Sequence, residues 1–291
     1  MDILTNYTFQ IVALGSVLLA VAAAPVGAFS VYKGQSLIGD AIGHSTFPGI
    51  ILAYMAFATR SPVILLAGAI LAGAASYALI QLAHRDKRLG LDANLAIFLS
   101  GFFGLGMALK SFIQGNPDYA GASQAGLGTY IFGQAAYMLE TDVLLIAAIS
   151  ALVLTLLLLF YKELKLFVFD AEYAEVVGLP CRLLNLLLLV MTIAVIGIGI
   201  KAVGAILISS FLIIPCVAAN QWSNNFARVL LLSSLIGAVS ALVGTYISTL
   251  EQGMSTGPSI ILVASLIAFF SIVFGTKGIL GSVLKRRRTH G

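Results

Sequence analysis

Long apolar segments separated by short polar connections run along the chain. Nine of these segments approach the length of about 20 apolar residues that a helix needs to cross a bilayer. The second segment and the two that meet at GIGIKAVGA contain many glycines, which allow close helix packing or a broken helix. The pattern therefore predicts an all-α, polytopic transmembrane helical bundle of eight to nine spans. The predicted spans are residues 9–32, 37–58, 62–83, 92–112, 142–161, 183–200, 203–220, 229–249 and 258–276.

Two connections are longer than simple turns. Residues 113–141 contain the apolar stretch YIFGQAAYM, which is too short to span and suits a re-entrant or interfacial helix. Residues 162–182 contain DAEYAEVVG, which predicts a short helix at the membrane surface. We expect Asp170 to cap this helix, and Gly178 and Pro180 to end it.

The composition supports a membrane protein. Of the 291 residues, 60% are hydrophobic and 10% are charged, and the mean hydropathy is +1.04. The net charge is +4, but the basic residues cluster in short connections, where they act as topology signals and do not indicate nucleic-acid binding. Cys181 and Cys216 lack CxxC spacing, so neither a disulfide framework nor a thiolate metal site is indicated.

The distribution of Lys and Arg predicts the orientation of the bundle. With nine spans and the N-terminus outside, twelve basic residues fall on the inner side and three on the outer side. Because basic residues favour the cytoplasmic side, we predict an N-terminus outside and a C-terminus in the cytoplasm. The inner residues are Lys33, Arg85, Lys87, Arg88, Lys162, Lys165, Arg182, Arg228, Lys285, Arg286, Arg287 and Arg288, and the outer ones are Arg60, Lys110 and Lys201.

Two ionisable residues interrupt the second apolar segment, within SLIGDAIGHSTFPGI. Asp40 and His44 are four residues apart, so on a helix they share one face. An ionisable residue at membrane depth is costly unless paired or hydrated, and it marks a functional site by default. A carboxylate with an imidazole suits Mn²⁺, Fe²⁺ or Zn²⁺. The two side chains could instead bond each other or cap the helix. Two ligands alone make a poor metal site, and a second copy of the chain would supply two more.

Several motifs resemble one known family. The first is YKGQSLIGDAIGHSTFPGI, which contains Asp40 and His44. GLDANLAIFLSGFFGLGMAL, FDAEYAEVVGLP, VGAILISSFLIIPCVAAN and GPSIILVASLIAFF extend the likeness over most of the chain; the first and third of these four are specific, and the last is weaker. They resemble the permease subunits of ATP-binding-cassette importers for divalent manganese, zinc and iron, the ABC-3 family.

The resemblance implies one transmembrane permease domain over residues 1–291, with a basic cytoplasmic tail at 281–291. Asp40 and His44 would line the translocation path and, with the same residues of a second permease subunit, would form a metal-binding gate. A cytoplasmic coupling helix at about 169–180 would contact the ATPase. Its candidate contact residues are Phe169, Asp170, Ala171, Glu172, Tyr173, Ala174, Gly178, Leu179 and Pro180.

The resemblance also implies partners. The chain contains no G-x-x-x-x-G-K-[ST] phosphate loop, so ATP would be hydrolysed on partner ATPase subunits and the permease would not be an enzyme. An extracytoplasmic metal-binding protein would deliver the ion to a homodimer in the prokaryotic cell membrane. No permanently bound cofactor is expected, since the metal ion is cargo.

Other functions remain open at the level of the sequence. A permease for a metal chelate or cobalamin would use the same ATPases, but its path should be wide and apolar. An ion-coupled secondary transporter could use Asp40 and His44 as a proton relay, but it gives no use to FDAEYAEVVGLP. A membrane scaffold gives no reason for an Asp and a His on one face.

Overall fold

The computed structural model describes residues 6–59, 61–84, 89–116, 119, 138–250 and 254–280, and within these ranges the regular structure is helical. The predicted stretch at 130–138, apart from Met138, and the basic tail lie outside the described residues. The helices are α1 (Tyr7–Tyr32), α2 (Ile38–Phe57), α3 (Pro62–His84), α4 (Leu91–Gly115), α5 (Glu140–Leu159), α6 (Tyr161–Phe169), α7 (Ala171–Val176), α8 (Cys181–Val203), α9 (Ala205–Asn220), α10 (Phe226–Leu250) and α11 (Thr256–Phe274).

Each of the nine predicted spans corresponds to a helix. Within the described ranges, seven helices are long and apolar enough to cross a membrane. The two predicted spans outside this group are α2, which contains Asp40 and His44, and α9, an apolar helix of 16 residues. At 1.5 Å per residue α9 is about 24 Å long, which is less than the roughly 30 Å of a hydrocarbon core.

α1 lies at the centre of the bundle and packs against α10, α9, α5 and α8. Its middle turns are made of small residues, and Ala20, Ala22 and Ala23 are completely buried. Small side chains let neighbouring backbones approach closely, which is how helices associate in a membrane. Pro25 removes one helical N–H, so the carbonyl of Val21 loses its usual donor. The Ser234 hydroxyl on α10 donates to that carbonyl at 3.2 Å.

α2 and α3 are in direct backbone contact through two glycines. A Cβ at Gly49 would lie 2.2 Å from the carbonyl oxygen of Gly68, and a Cβ at Gly68 would lie 2.4 Å from that of Gly49. Both distances are shorter than any that real Cβ atoms show, so neither position accepts a side chain. Farther along the same contact, Ser45 donates to the Ser76 hydroxyl at 2.8 Å.

α6 and α7 lie together at one end of the bundle, which we call the α7 end. α6 was not predicted from the sequence, and it continues from α5 after a break at Phe160. An aromatic cluster of Phe29, Tyr32, Phe169 and Phe226 joins α1, α6 and α10 there, with centroid separations of 4.9 to 5.3 Å. The cluster fixes the segment before α7 against the end of α1.

Candidate functional site

Asp40 and His44 lie in the first two turns of α2. The helix begins without a side-chain cap at Leu37, and Asp40 lies in its first turn. A carboxylate in the first turn is favoured by the partial positive charge of a helix N-terminus. Pro48 lies one turn after His44, so the carbonyl of His44 lacks the N–H that residue 48 would normally donate to it.

The two side chains lie on one face, as their spacing predicts. The distance from His44 Nε2 to Asp40 Oδ1 is 3.4 Å, short enough for an ion pair when the imidazole is protonated. The Asp40 and His44 side chains are 32% and 18% exposed, so both remain open to an ion. The Ser209 hydroxyl of α9 lies beside the Asp40 carboxylate and donates to the carbonyl of Ala205 at 3.0 Å.

Aromatic residues enclose the other side of His44. Phe103 of α4 contacts the imidazole edge-to-face at a centroid distance of 5.0 Å, and Phe47 contacts Phe103 at 6.1 Å. A small cavity lies beside His44, between α2, α4 and the adjoining ends of α8 and α9. Because α9 begins at Ala205 in the wall of this cavity, the turn between α8 and α9 lies near the site.

The pair is an incomplete ligand set within one chain. Over the ranges that the structure describes, no group of three or more His, Cys, Asp and Glu residues is arranged to hold a metal ion. Stable metal sites in proteins usually have four or more ligands. Asp40 and His44 could therefore supply two ligands, and the remainder would have to come from another source.

The predicted surface helix is present as α7. The Asp170 side chain accepts from the N–H of Tyr173 at 2.9 Å, which is the predicted N-cap. The backbone then turns at Gly178, where φ is +86°, before Pro180. Ala174 is buried against the bundle, whereas Phe169, Tyr173, Val176 and Val177 are all more than half exposed.

Of the other predicted contact residues, Ala171, Glu172 and Pro180 are exposed and Leu179 is partly buried. The segment thus presents an apolar surface with acidic neighbours. Cys181 and Cys216 are both free thiols, and they lie on different helices.

Sequence reasoning missed Ser209 and Phe103 as neighbours of the site. Each lies on a helix far along the chain from Asp40, so no local spacing connects it with the pair. The one signal for Ser209 was a pair of hydroxyl residues inside an apolar span, in ILISSFL, and for Phe103 there was none.

Residues 5–275 match the ABC 3 transport family. The chain belongs to this family. It is accordingly a non-catalytic membrane subunit of an ABC transporter, as the sequence predicted.

Among similar family members is the zinc transport system membrane protein TroC of Treponema pallidum, which is 39% identical over 289 residues, covering 99% of this chain and 96% of TroC. The manganese transport system membrane protein MntC of Bacillus subtilis is also 39% identical, over 96% of this chain and 65% of MntC. Among solved structures, PsaBC from Streptococcus pneumoniae in complex with a Fab aligns with a TM-score of 0.81 and 27% identity, covering 94% of each chain.

Proposed function

We propose that this chain is the permease of an ATP-driven importer for a divalent transition-metal ion, Mn²⁺, Zn²⁺ or Fe²⁺. The observation that carries the proposal is the pair of Asp40 and His44, 3.4 Å apart and partly exposed on a helix inside a membrane bundle. Two similar family members are described as zinc and manganese transport proteins, which agrees with this ligand chemistry. A carboxylate and an imidazole bind all three ions, so the pair does not select among them.

Asp40 and His44 form the gate in this proposal. A neutral imidazole coordinates through its ring nitrogen while the carboxylate supplies charge and an oxygen ligand. The same two residues of a second permease subunit would complete a set of four across a two-fold axis. Such a shared site binds an ion only while the two gate helices are close, and it releases the ion when they separate.

The α7 segment couples the gate to the ATPase. Its exposed apolar residues, Tyr173, Val176 and Val177, lie within five consecutive positions and suit a groove on a partner protein, since a continuous exposed apolar patch marks an interaction site. The ATPase hydrolyses ATP on the cytoplasmic side, so the α7 end faces the cytoplasm and the N-terminus lies outside. An extracytoplasmic binding protein delivers the ion to the other end, and the whole chain acts as one permease domain in the prokaryotic cell membrane.

Metal uptake by gate variants tests the proposal. Asp40→Ala and His44→Ala are compared with wild type at equal membrane abundance, in cells that express the whole importer, for Mn²⁺, Fe²⁺ and Zn²⁺. The chain offers matched controls: Asp92 is an exposed acidic residue in the first turn of α4, and His84 is exposed at the end of α3. We expect both gate variants to lose uptake of the same ion, and Asp92→Ala and His84→Ala to keep it.

Normal uptake by both gate variants would refute the gate, and Asp40 and His44 would then have a role only in helix packing. Acid pH provides a second test, because only a neutral imidazole binds a metal ion. Uptake should fail at low pH, and uptake that is constant through the range where histidines titrate would count against His44 as a ligand.

A further inference from the structure

Lys33 ends α1 at the α7 end, and its side chain turns into the protein. The Nζ atom donates to Oδ1 of Asn185 on α8. It also lies over the ring of Phe167 on α6, 4.9 Å from the ring centroid, which is a cation–π contact. Asn185 in turn donates to the Tyr77 hydroxyl of α3 at 2.9 Å. One lysine thus joins the end of α1 to three other helices.

Two of these contacts lie immediately on either side of α7. Phe167 comes three residues before the Asp170 cap, and Asn185 lies in the first turns of α8, which begins just after Pro180. The neighbour of Lys33, Tyr32, contacts Phe169 at a centroid distance of 5.3 Å. A displacement of α7 would therefore act on the end of α1 through the segments before and after α7.

The connection from Lys33 to α2 is short and contains several backbone hydrogen bonds. Gly34 has φ of +74°, a left-handed conformation that a side chain would disfavour. The N–H of Gly34 donates to Val31, that of Gln35 donates to Ser30, and that of Ile38 donates to Gln35. Asp40 follows two residues after Ile38. Because this turn has little freedom of its own, movement at Lys33 is passed to the start of α2.

α2 also lines the space around the lysine. A small cavity lies beside Lys33, with Ile38 and Ile42 of α2 on one wall and Tyr77 and Asn185 on another. The opposite face of the same two turns of α2 carries Asp40 and His44. The lysine network and the gate residues thus lie on two sides of one helical segment.

We propose that Lys33 is a positioning residue that transmits movement of α7 to the gate helix α2, through its contacts with Asn185 and Phe167. The inference rests on the proposed function, in which α7 contacts the ATPase and Asp40 and His44 form the gate. A lysine suits this role because its amine donates to the amide oxygen while its charge holds the aromatic ring. An apolar replacement loses both contacts and leaves the amide oxygen of the partly buried Asn185 without this donor.

The test measures metal ions moved per ATP hydrolysed, using the whole importer in proteoliposomes with Mn²⁺ and Zn²⁺ as probes. Lys33→Met keeps the length of the side chain but removes the charge and the donor, whereas Lys33→Arg keeps both. Lys110→Met, on α4 and away from this network, is the control for loss of a positive charge. We expect Lys33→Met to lower the ratio at least about fivefold, while ATP hydrolysis and assembly with the ATPase persist. Lys33→Arg should restore most of the ratio, and Lys110→Met should leave it unchanged.

Asn185→Ala provides an independent variant. If both residues act through one contact, Lys33→Met combined with Asn185→Ala should lower the ratio no further than the stronger single change. Additive losses would overturn the proposal, as would an unchanged ratio in Lys33→Met or a complex that no longer assembles with the ATPase. Asp40→Ala distinguishes failure of this inference from failure of the proposed function. If Asp40→Ala abolishes uptake while Lys33→Met keeps the wild-type ratio of metal to ATP, only the transmission role of Lys33 fails. If Asp40→Ala leaves uptake intact, the proposed gate fails.

Discussion

The contact between α1 and α9 at Gly27 leaves no room for a methyl group. A Cβ at position 27 would lie 1.9 Å from the carbonyl oxygen of Leu212 and 2.5 Å from its carbonyl carbon and Cα. Real Cβ atoms are essentially never closer than 3.0 Å to a heavy atom, so the gap is at least about 1 Å too small. The obstructing atoms belong to the backbone of α9, which means that no rotamer change relieves the overlap.

Gly27→Ala should therefore destabilise the protein by about 1–3 kcal/mol, the usual cost of overpacking a well-packed interior. Gly43→Ala is a matched control, because Gly43 also faces α9 and its added Cβ would lie 3.5 Å from the Ser209 hydroxyl oxygen, an ordinary contact. With no overlap to relieve, this control should keep its stability or gain up to about 1 kcal/mol from the helical preference of alanine.

The measurement is the unfolding of each purified variant in detergent micelles, followed by heating and by denaturant. The movement of α9 that accommodates Gly27→Ala should also carry Ser209 away from Asp40, and metal uptake should fall at equal membrane abundance. Equal stability of Gly27→Ala and Gly43→Ala would show that α1 and α9 are not packed backbone to backbone as described.

Three further predictions concern single side chains. Asp170→Ala removes the cap of α7 and should weaken assembly with the ATPase in a pull-down, whereas Asp170→Asn, which keeps a capping oxygen, should largely preserve it. Ser234→Ala removes the donor to the Val21 carbonyl and should cost about 0.6 kcal/mol in micelle unfolding, the average for a hydrogen bond between membrane helices; a gain in stability would contradict that bond. Burial lowers the pKa of Lys33 to about 8, and Tyr77 is the other titratable group lining its cavity. As the pH rises through 8, Lys33 loses its charge, so the number of metal ions moved per ATP should fall in wild type but not in Lys33→Arg. Parallel pH profiles of the two proteins would refute a role for the lysine charge.

The helical framework was predictable because each span carries its own signal. A run of about 20 apolar residues predicts a helix wherever it occurs in the chain. The Asp170 cap and the end of α7 at Gly178 and Pro180 were likewise local, since the residues that determine them are adjacent. The spacing of Asp40 and His44 predicted a shared face for the same reason, and the two side chains lie 3.4 Å apart.

The contacts between distant segments could not be predicted in this way. Lys33 was interpreted only as a topology signal, because the sequence does not indicate that Asn185, 152 positions away, accepts its hydrogen bond. Ser234 satisfies the carbonyl that Pro25 frees, although the two helices are more than two hundred residues apart in sequence. α6 was missed because its nine residues mix charged and apolar positions and follow α5 with only one intervening residue.

The closely packed glycines of α2 and α3 limit how the proposed gate helix α2 can move. Gly49 and Gly68 each occupy the space that a side chain of the other would need, so the two helices cannot slide past one another without first separating. α2 and α3 therefore behave as one rigid body. Tyr77 belongs to this body and accepts from Asn185. In the proposed mechanism α2 and α3 therefore tilt together when the gate opens, and the lysine network connects this pair of helices to the end of α1 and to α8.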